Sequence, residues 1–222
     1  MTSIPTIITN TAEPTIPRNT SVTVDPKHQH LQIKIGVSGA AETGHCGIDA
    51  YDQGLELGRQ IVAHDAAVVT GATTGFPLWA AMGAKQAGGT SIGISPANSE
   101  KEHIEMYNLP VEYMDLIMYT GFGFPGRDLI FTRSVDGMLF GCGRIGTIHE
   151  FTIAFEDKKP IGILEGEWET DEVIRDILKN GHRPNDHIIF DTDPKALVEK
   201  VIELVKKDKA NRASFRFQSI EE

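Results

Sequence analysis

Four short apolar runs in this chain are each followed directly by a glycine-rich segment, and this alternation restricts the possible folds more than any other feature. The segments begin at Gly39, Gly71, Gly121 and Gly141. The chain has 22 glycines in 222 residues, which exceeds the average usage of about 7%. Glycine is favoured where backbone turns tightly or lies close to another group. Short strands that end in such segments and alternate with amphipathic stretches are typical of β-α units around a parallel sheet.

The apolar runs predict seven strands, at 33–38, 66–70, 91–95, 114–119, 137–140, 161–164 and 188–190. Helical periodicity predicts helices at 48–64, 78–87, 127–134 and 148–157. A last helix is expected to start with Asp193 as N-cap and Pro194 at its first position. These elements predict a Rossmann-like α/β fold, a doubly wound, mainly parallel sheet of about seven strands with helices on both faces. Its ligand site is expected outside the carboxyl ends of the strands.

The length and the local composition predict one domain with two terminal extensions. Residues 1–30 contain seven threonines, four prolines and no glycine, without helical or strand periodicity, and are expected to form an extended or disordered arm. Residues 31–210 are predicted to form a single Rossmann-like domain, and residues 211–222 a C-terminal tail.

The charge of the chain disfavours several classes of partner. A formal net charge of −10 should repel phosphate backbones, so no nucleic-acid partner is predicted. No apolar run approaches the roughly 20 residues of a membrane span, and no basic segment precedes an apolar one near the N-terminus, so a cytoplasmic location without membrane contact is expected. Cys46 and Cys142 are expected to be reduced thiols, in preference to a redox pair or a soft-metal contact. No metal and no cofactor is predicted.

The segment after the fifth predicted strand matches the G-x-G-x-x-G pattern from Gly141 to Gly146, with Glu165 and Glu167 about 20 residues further on. This is a nominal fingerprint of an NAD-dependent oxidoreductase. That hypothesis is the least favoured, because the pattern follows the fifth strand instead of the first and Arg144 is bulky where pyrophosphate would approach.

The residues that follow this segment predict a helix N-terminus. Thr147-Ile-His-Glu150 has the Thr-x-x-Glu pattern of a capping box, in which Thr147 caps the helix and Glu150 returns the hydrogen bond. A glycine loop that leads into a helix also presents free N–H groups to an anion. The loop from Gly143 to Thr147 is therefore a candidate phosphate site, with Glu150 one turn inside the helix.

A longer pattern surrounds this loop. Residues 127–136 read Arg-Asp-Leu-Ile-Phe-Thr-Arg-Ser-Val-Asp, and residues 143–150 read Gly-Arg-Ile-Gly-Thr-Ile-His-Glu. This region resembles the Lonely Guy (LOG) family of phosphoribohydrolases, once labelled possible lysine decarboxylases. The family signature is an Arg-Lys pair followed by Pro-Gly-Gly-x-Gly-Thr-x-x-Glu. The likeness covers residues 33–165 and is greatest to a bacterial branch related to the molybdenum-cofactor carrier proteins.

The resemblance implies a small-molecule partner, either a nucleoside 5′-monophosphate or another phosphate-bearing ligand. For a nucleoside 5′-monophosphate it implies hydrolysis of the N-glycosidic bond to base and ribose 5-phosphate. It assigns Arg127 and Glu150 as the catalytic pair, with the family's separation of 23 positions. It also implies a homodimer or higher homo-oligomer. The expected phosphate- or nucleotide-binding residues are Ser38, Gly39, Gly71, Thr73, Gly75, Arg133, Gly143, Arg144, Gly146 and Thr147.

The chain departs from the family signature at three positions. Cys142 replaces its proline, Arg144 replaces its second glycine and Asp128 stands in place of its lysine. Arg144 either contacts the phosphate with its side chain or fills the pocket. A non-catalytic protein that binds or carries a nucleotide or cofactor is therefore the alternative to a hydrolase.

Overall fold

A computed structural model describes residues 32–183 and 187–218, and the side chains of the last helix as far as residue 211. The expected arm at 1–30 lies outside the described residues, as does the end of the expected tail at 219–222. Fourteen elements alternate along the described chain: β1 Lys34–Ser38, α1 Ala50–Ala63, β2 Ala67–Thr70, α2 Phe76–Gln86, β3 Ser91–Ser95, α3 Glu100–Glu105, β4 Leu116–Tyr119, α4 Gly123–Ser134, β5 Gly137–Phe140, α5 Ile145–Glu156, β6 Ile161–Leu164, α6 Thr170–Asn180, β7 Ile188–Asp191 and α7 Pro194–Gln218.

All seven predicted strands are present, in one parallel sheet with the order β4-β3-β2-β1-β5-β6-β7. The chain runs outward from β1 to β4 and then crosses back, so that β5 pairs with the free side of β1. The loops after β1 and β5 therefore leave the sheet in opposite directions, and a crevice opens between them. The predicted Rossmann-like fold is confirmed.

Two apolar layers cover the sheet, because successive residues of a strand point to opposite faces. Ile35 and Val37 of β1 pack with α1, α2 and α7 on one face. Met138 and Phe140 of β5 pack with α4, α5 and α6 on the other face. No helix within the described ranges is both long and apolar enough to cross a membrane.

The helices differ from the prediction in several places. The sequence prediction lacked α3, a six-residue helix capped by Ser99, whose Oγ accepts a hydrogen bond from the Glu102 N–H at 3.3 Å. It also lacked α6, which packs on the sheet through Ile174 and Ile177. The helix α4 begins at Gly123, four residues before the predicted start, since Pro125 falls in its first turn, where proline is tolerated. The last helix continues past the expected domain end at residue 210.

The contact between α1 and α2 leaves no room for a side chain at Gly58. A Cβ atom there would lie 1.9 Å from the carbonyl oxygen of Ala80, so neither backbone can move aside cheaply. Gly58 therefore sets how closely the two helices approach.

We expect Gly58→Ala to lower the free energy of unfolding by about 1–3 kcal/mol, as overpacked cores do, although alanine favours an isolated helix by about 1 kcal/mol. The control is Gly146→Ala in α5, where a Cβ would meet nothing within 4 Å. Urea unfolding of both variants measures the difference. Equal stabilities would show that the helix contact is not tight.

Candidate functional site

A cavity of about 320 Å³ lies at the crevice between the carboxyl ends of β1 and β5. Its volume is within the range of small-molecule sites, about 300–1,000 Å³. Nine of the residues expected from the sequence line this cavity: Ser38, Gly39, Gly71, Thr73, Arg127, Arg144, Gly146, Thr147 and Glu150. They come from the segments after β1, β2 and β5 and from α4 and α5.

Glu150 of α5 is buried at this cavity, with 5% of its surface exposed. Its Oε2 accepts a hydrogen bond from Ser38 Oγ at the end of β1, and its Oε1 lies 3.6 Å from Arg127 Nη1. Burial raises the pKa of Glu150 to about 8, Arg127 opposes that rise, and the nearby Asp128 carboxylate adds to it. At neutral pH most of the Glu150 carboxyl is therefore protonated.

Arg127 lies on α4 with 6% of its surface exposed. Its Nε is 3.2 Å from Asp128 Oδ1, and its guanidinium carbon lies 5.8 Å from the centre of the Phe124 ring. That Nε has no hydrogen-bond partner among the described residues. The contacts of Arg127 with the carboxyl groups of Asp128 and Glu150 both lack good hydrogen-bond geometry, so a bound ligand can still engage its donors.

Gly71 makes room for the Arg127 side chain. A Cβ atom at Gly71 would lie 1.3 Å from Arg127 Nη1, so any larger residue at the end of β2 would displace the guanidinium. Gly71 is therefore a positioning residue for Arg127.

Asp128 and His149 form a second contact between α4 and α5, and sequence reasoning missed it. Asp128 is buried and lies 2.8 Å from Nδ1 of His149, next to the contact of Arg127 with Glu150. Two adjacent residues of one helix therefore face two adjacent residues of the other. The sequence signal that could have predicted this contact is the order of the residue types, Arg-Asp on α4 and His-Glu on α5, because each basic side chain can meet an acidic one.

The predicted capping box at Thr147 is wrong. The helix α5 begins at Ile145, so Thr147 lies inside its first turn, where its Oγ1 accepts a hydrogen bond from the Arg144 N–H at 3.3 Å. Glu150 contacts Ser38 and Arg127 instead of the helix terminus. The first N–H groups of α5 still have no partner within the helix and lie at the cavity wall, which includes Ile145, Gly146 and Thr147.

Arg144 does not fill the cavity. Its side chain is 56% exposed and pairs with Glu42, which is 83% exposed. Since Ser38, Arg127 and Glu150 are buried, the pair of Arg144 and Glu42 lies at the outer opening and joins the loops after β1 and β5.

Three expected site residues do not line the cavity. Arg133 is exposed on α4 and its Nε donates to Asp157 at 3.0 Å. Gly75 precedes α2 with a φ of 73°. Gly143 lines a neighbouring cavity, and its N–H donates to Thr170 Oγ1 at 2.7 Å. Glu165, the carboxylate of the NAD hypothesis, pairs with Arg175 outside the cavity.

Cys46 and Cys142 form a disulfide, with Cα atoms 5.8 Å apart, so the expectation of two reduced thiols is wrong. The loop after β1 folds over the segment after β5, where the Ala40 N–H donates to the Cys142 carbonyl at 2.7 Å. That contact brings together two cysteines separated by 96 positions, a proximity that neither local sequence reveals.

The proteins to which the chain is similar include one of known sequence and two of known structure. A protein of Archaeoglobus fulgidus is 28% identical over 133 residues, which are 60% of this chain and 80% of that one. The molybdenum cofactor binding protein of Rippkaea orientalis is 26% identical, with a TM-score of 0.62 over 80% of this chain and 97% of that one. The molybdenum cofactor carrier protein of Chlamydomonas reinhardtii is 25% identical, with a TM-score of 0.63 over 79% of this chain and 99% of that one.

The fold and its switch-point cavity define a Rossmann-like α/β protein with a concave polar site. The family model of the SLOG cluster 4 family matches residues 32–198. The chain belongs to that family, in agreement with the LOG-type resemblance of the sequence.

We expect the stability of the folded chain to report the raised pKa of Glu150. Between pH about 4.5 and about 8 the folded chain holds a proton on Glu150 that the unfolded chain has released. The proton on Glu150 adds to the free energy of unfolding. This addition is complete at pH values below that window and is lost as the pH rises through about 8. The free energy of unfolding of the wild type should therefore fall with pH relative to that of Glu150→Gln.

Urea unfolding across this window measures the difference. The control is Glu156→Gln at the exposed end of the same helix, which should follow the wild type. Parallel curves for the wild type and Glu150→Gln would contradict the raised pKa.

Proposed function

We propose that this protein binds a nucleoside 5′-monophosphate in the cavity and hydrolyses its N-glycosidic bond to base and ribose 5-phosphate. The observation that carries the proposal is the buried contact between Arg127 and Glu150 in the wall of the cavity. The LOG-type resemblance assigns the same two residues to this reaction.

The N-terminus of α5 suits the phosphate. Its free N–H groups and the positive end of its dipole favour an anion, and Gly146 in its first turn leaves the backbone open. Arg144 at the opening adds a positive charge near the same terminus. The Arg127 guanidinium has donors for a phosphate or ribose oxygen deeper inside.

Glu150 suits the ribose. As the bond from C1′ to the base nitrogen breaks, the base leaves with the electron pair and positive charge builds on the ribose ring. A carboxylate at Glu150 stabilises that charge and orients the water that attacks C1′. Because the pKa of Glu150 is raised to about 8, the required carboxylate form increases as the pH approaches that value.

A second candidate function is binding of a phosphate-bearing ligand without cleavage. At neutral pH Glu150 is mostly protonated, and Asp128 offsets the charge of Arg127, so the inner wall is polar but close to neutral. The similar proteins of Rippkaea orientalis and Chlamydomonas reinhardtii are a molybdenum cofactor binding protein and a molybdenum cofactor carrier protein.

Incubation with AMP, GMP and CMP, followed by chromatography of free base and ribose 5-phosphate, tests the hydrolase. We expect turnover that increases with pH toward about 8 and falls by about 10²-fold or more in Glu150→Gln, as it does when one group that stabilises a transition state is removed. Glu156→Gln is the matched control on the same helix and should keep the wild-type rate.

The outcomes separate the two candidates. Product formation that Glu150→Gln abolishes supports the hydrolase. A rise in melting temperature with a monophosphate but without product overturns the hydrolase and supports the binding protein. The absence of both product and stabilisation would contradict both.

Gly71→Ala tests whether the position of Arg127 matters. The added methyl group meets the end of a flexible side chain, so the fold should tolerate it while the guanidinium moves away. We expect a folded chain with a lower melting temperature, because the displaced guanidinium loses part of its contacts with Asp128 and Glu150. Turnover should fall by about 10²-fold, the loss expected when a catalytic group is displaced by about 1 Å. For a binding protein, the corresponding readout is a weaker affinity for AMP.

The control is Gly44→Ala, where a Cβ would meet nothing within 4 Å. Wild-type turnover and wild-type affinity in Gly71→Ala would show that the observed position of Arg127 is not needed.

A further inference from the structure

Three side chains that the proposed function does not use converge beside the cavity: His45, Cys46 and Cys142. Their ligand atoms, one nitrogen and two sulfurs, all lie within 4.8 Å of one another. His45 Nε2 is 3.5 Å from the Cys142 sulfur and 3.2 Å from the carbonyl oxygen of Gly143. The two sulfurs are joined in the disulfide.

Two thiolates and an imidazole are a donor set that binds Zn²⁺. With Zn–S near 2.3 Å and Zn–N near 2.0–2.1 Å, a tetrahedral ion places nitrogen and sulfur about 3.6 Å apart. The observed separation of 3.5 Å between His45 Nε2 and the Cys142 sulfur fits that geometry, whereas the two sulfurs, bonded in the disulfide, must move apart before both can bind one ion.

The surroundings of the three side chains also favour a cation. Cys142 is fully buried, Cys46 is partly buried and His45 is exposed, so an ion can enter from the side of His45. That side opens into a second cavity of about 630 Å³. Its wall holds His45 together with three carboxylates and one guanidinium, so acidic groups outnumber basic ones: Glu167, Glu169, Glu172 and Arg144. Three protein ligands leave a fourth position on the ion for solvent or a ligand.

We propose that the disulfide and a Zn²⁺ ion alternate at this site, and that reduction of the bond between Cys46 and Cys142 creates the metal site. A dithiol reductant supplies two electrons and two protons, which convert the disulfide to two thiols while the reductant becomes a disulfide. Each thiol then releases its proton as its sulfur binds Zn²⁺. His45 exchanges its contact with the Gly143 carbonyl for the metal and carries its remaining proton on Nδ1.

The alternation between the disulfide and the Zn²⁺ ion occurs next to the candidate site, but it does not depend on the proposed function. The Cys142 carbonyl accepts the Ala40 N–H, and the next residue, Gly143, donates to Thr170. The metal and the disulfide would each tie the loop after β1 to the segment after β5, so the walls of the first cavity stay together in both states.

Cobalt substitution tests the proposal on the full chain. A phosphine reduces the disulfide, taking an oxygen atom from water, and is removed under nitrogen before Co²⁺ is titrated. We expect one Co²⁺ per chain, with a thiolate-to-cobalt charge-transfer band and the strong visible absorption of a tetrahedral site, both displaced by Zn²⁺. The oxidised chain should show neither signal.

Two variants test the ligands. Cys46→Ser should weaken the charge-transfer band, because only the Cys142 thiolate remains to bind Co²⁺. Since Cys46 is only partly buried, the fold should accept serine. His45→Ala should weaken Co²⁺ binding by more than about tenfold, the lower limit seen when only an outer-shell partner is removed. His64→Ala at the end of α1 is the control and should bind Co²⁺ like the wild type.

Three results would overturn the proposal. The first is reduced wild-type chain with two titratable thiols, an unchanged circular dichroism spectrum and no cobalt band. The second is an unchanged band in Cys46→Ser. The third is equal affinity in His45→Ala and His64→Ala, which would remove the imidazole from the ligand set.

Discussion

The structure depends on one buried arginine that lies between two buried carboxyl groups. Transferring Arg127 from water into the contact between α4 and α5 is costly, and only nearby negative charge and hydrogen bonding offset that cost. Asp128 supplies the negative charge, while Glu150, mostly protonated at neutral pH, supplies a polar contact and accepts a hydrogen bond from Ser38. Removing Asp128 would leave an uncompensated buried charge, so these residues act as a unit. The ability of the site to engage a ligand follows from the same contacts, because the Arg127 donors are only partly used.

The strand order explains why these residues meet. Ser38 ends β1, Gly71 follows β2 and Glu150 lies on the helix after β5, and β1 lies between β2 and β5 in the sheet. The reversal of chain direction on either side of β1 opens the crevice above all three. Gly71 then admits the Arg127 side chain from α4, and the exposed pair of Arg144 and Glu42 bounds the opening. Each part of the cavity wall is thus placed by the topology of the sheet.

Most of the fold could be predicted from the sequence, because fully buried strands of a parallel sheet are continuous apolar runs, as at 137–140 and 161–164. The resemblance to the LOG family also assigned Arg127 and Glu150 to one site. The prediction of a capping box at Thr147 and Glu150 was wrong because Glu150 contacts Ser38 and Arg127, which are distant in sequence, and not the helix terminus. The contact of Asp128 with His149 and the disulfide join residues 21 and 96 positions apart, and both pairings depend on the tertiary structure.

The central claim is that Arg127 and Glu150 form the inner wall of a site for a phosphorylated ribose. The most direct measurement is a crystal structure of the protein with ribose 5-phosphate. We expect the phosphate at the first turn of α5, within hydrogen-bond distance of the Gly146 N–H, and the ribose ring against Glu150 with an oxygen on Arg127. A sugar phosphate bound in the neighbouring cavity beside Trp168, or one that contacts neither Arg127 nor Glu150, would contradict the claim.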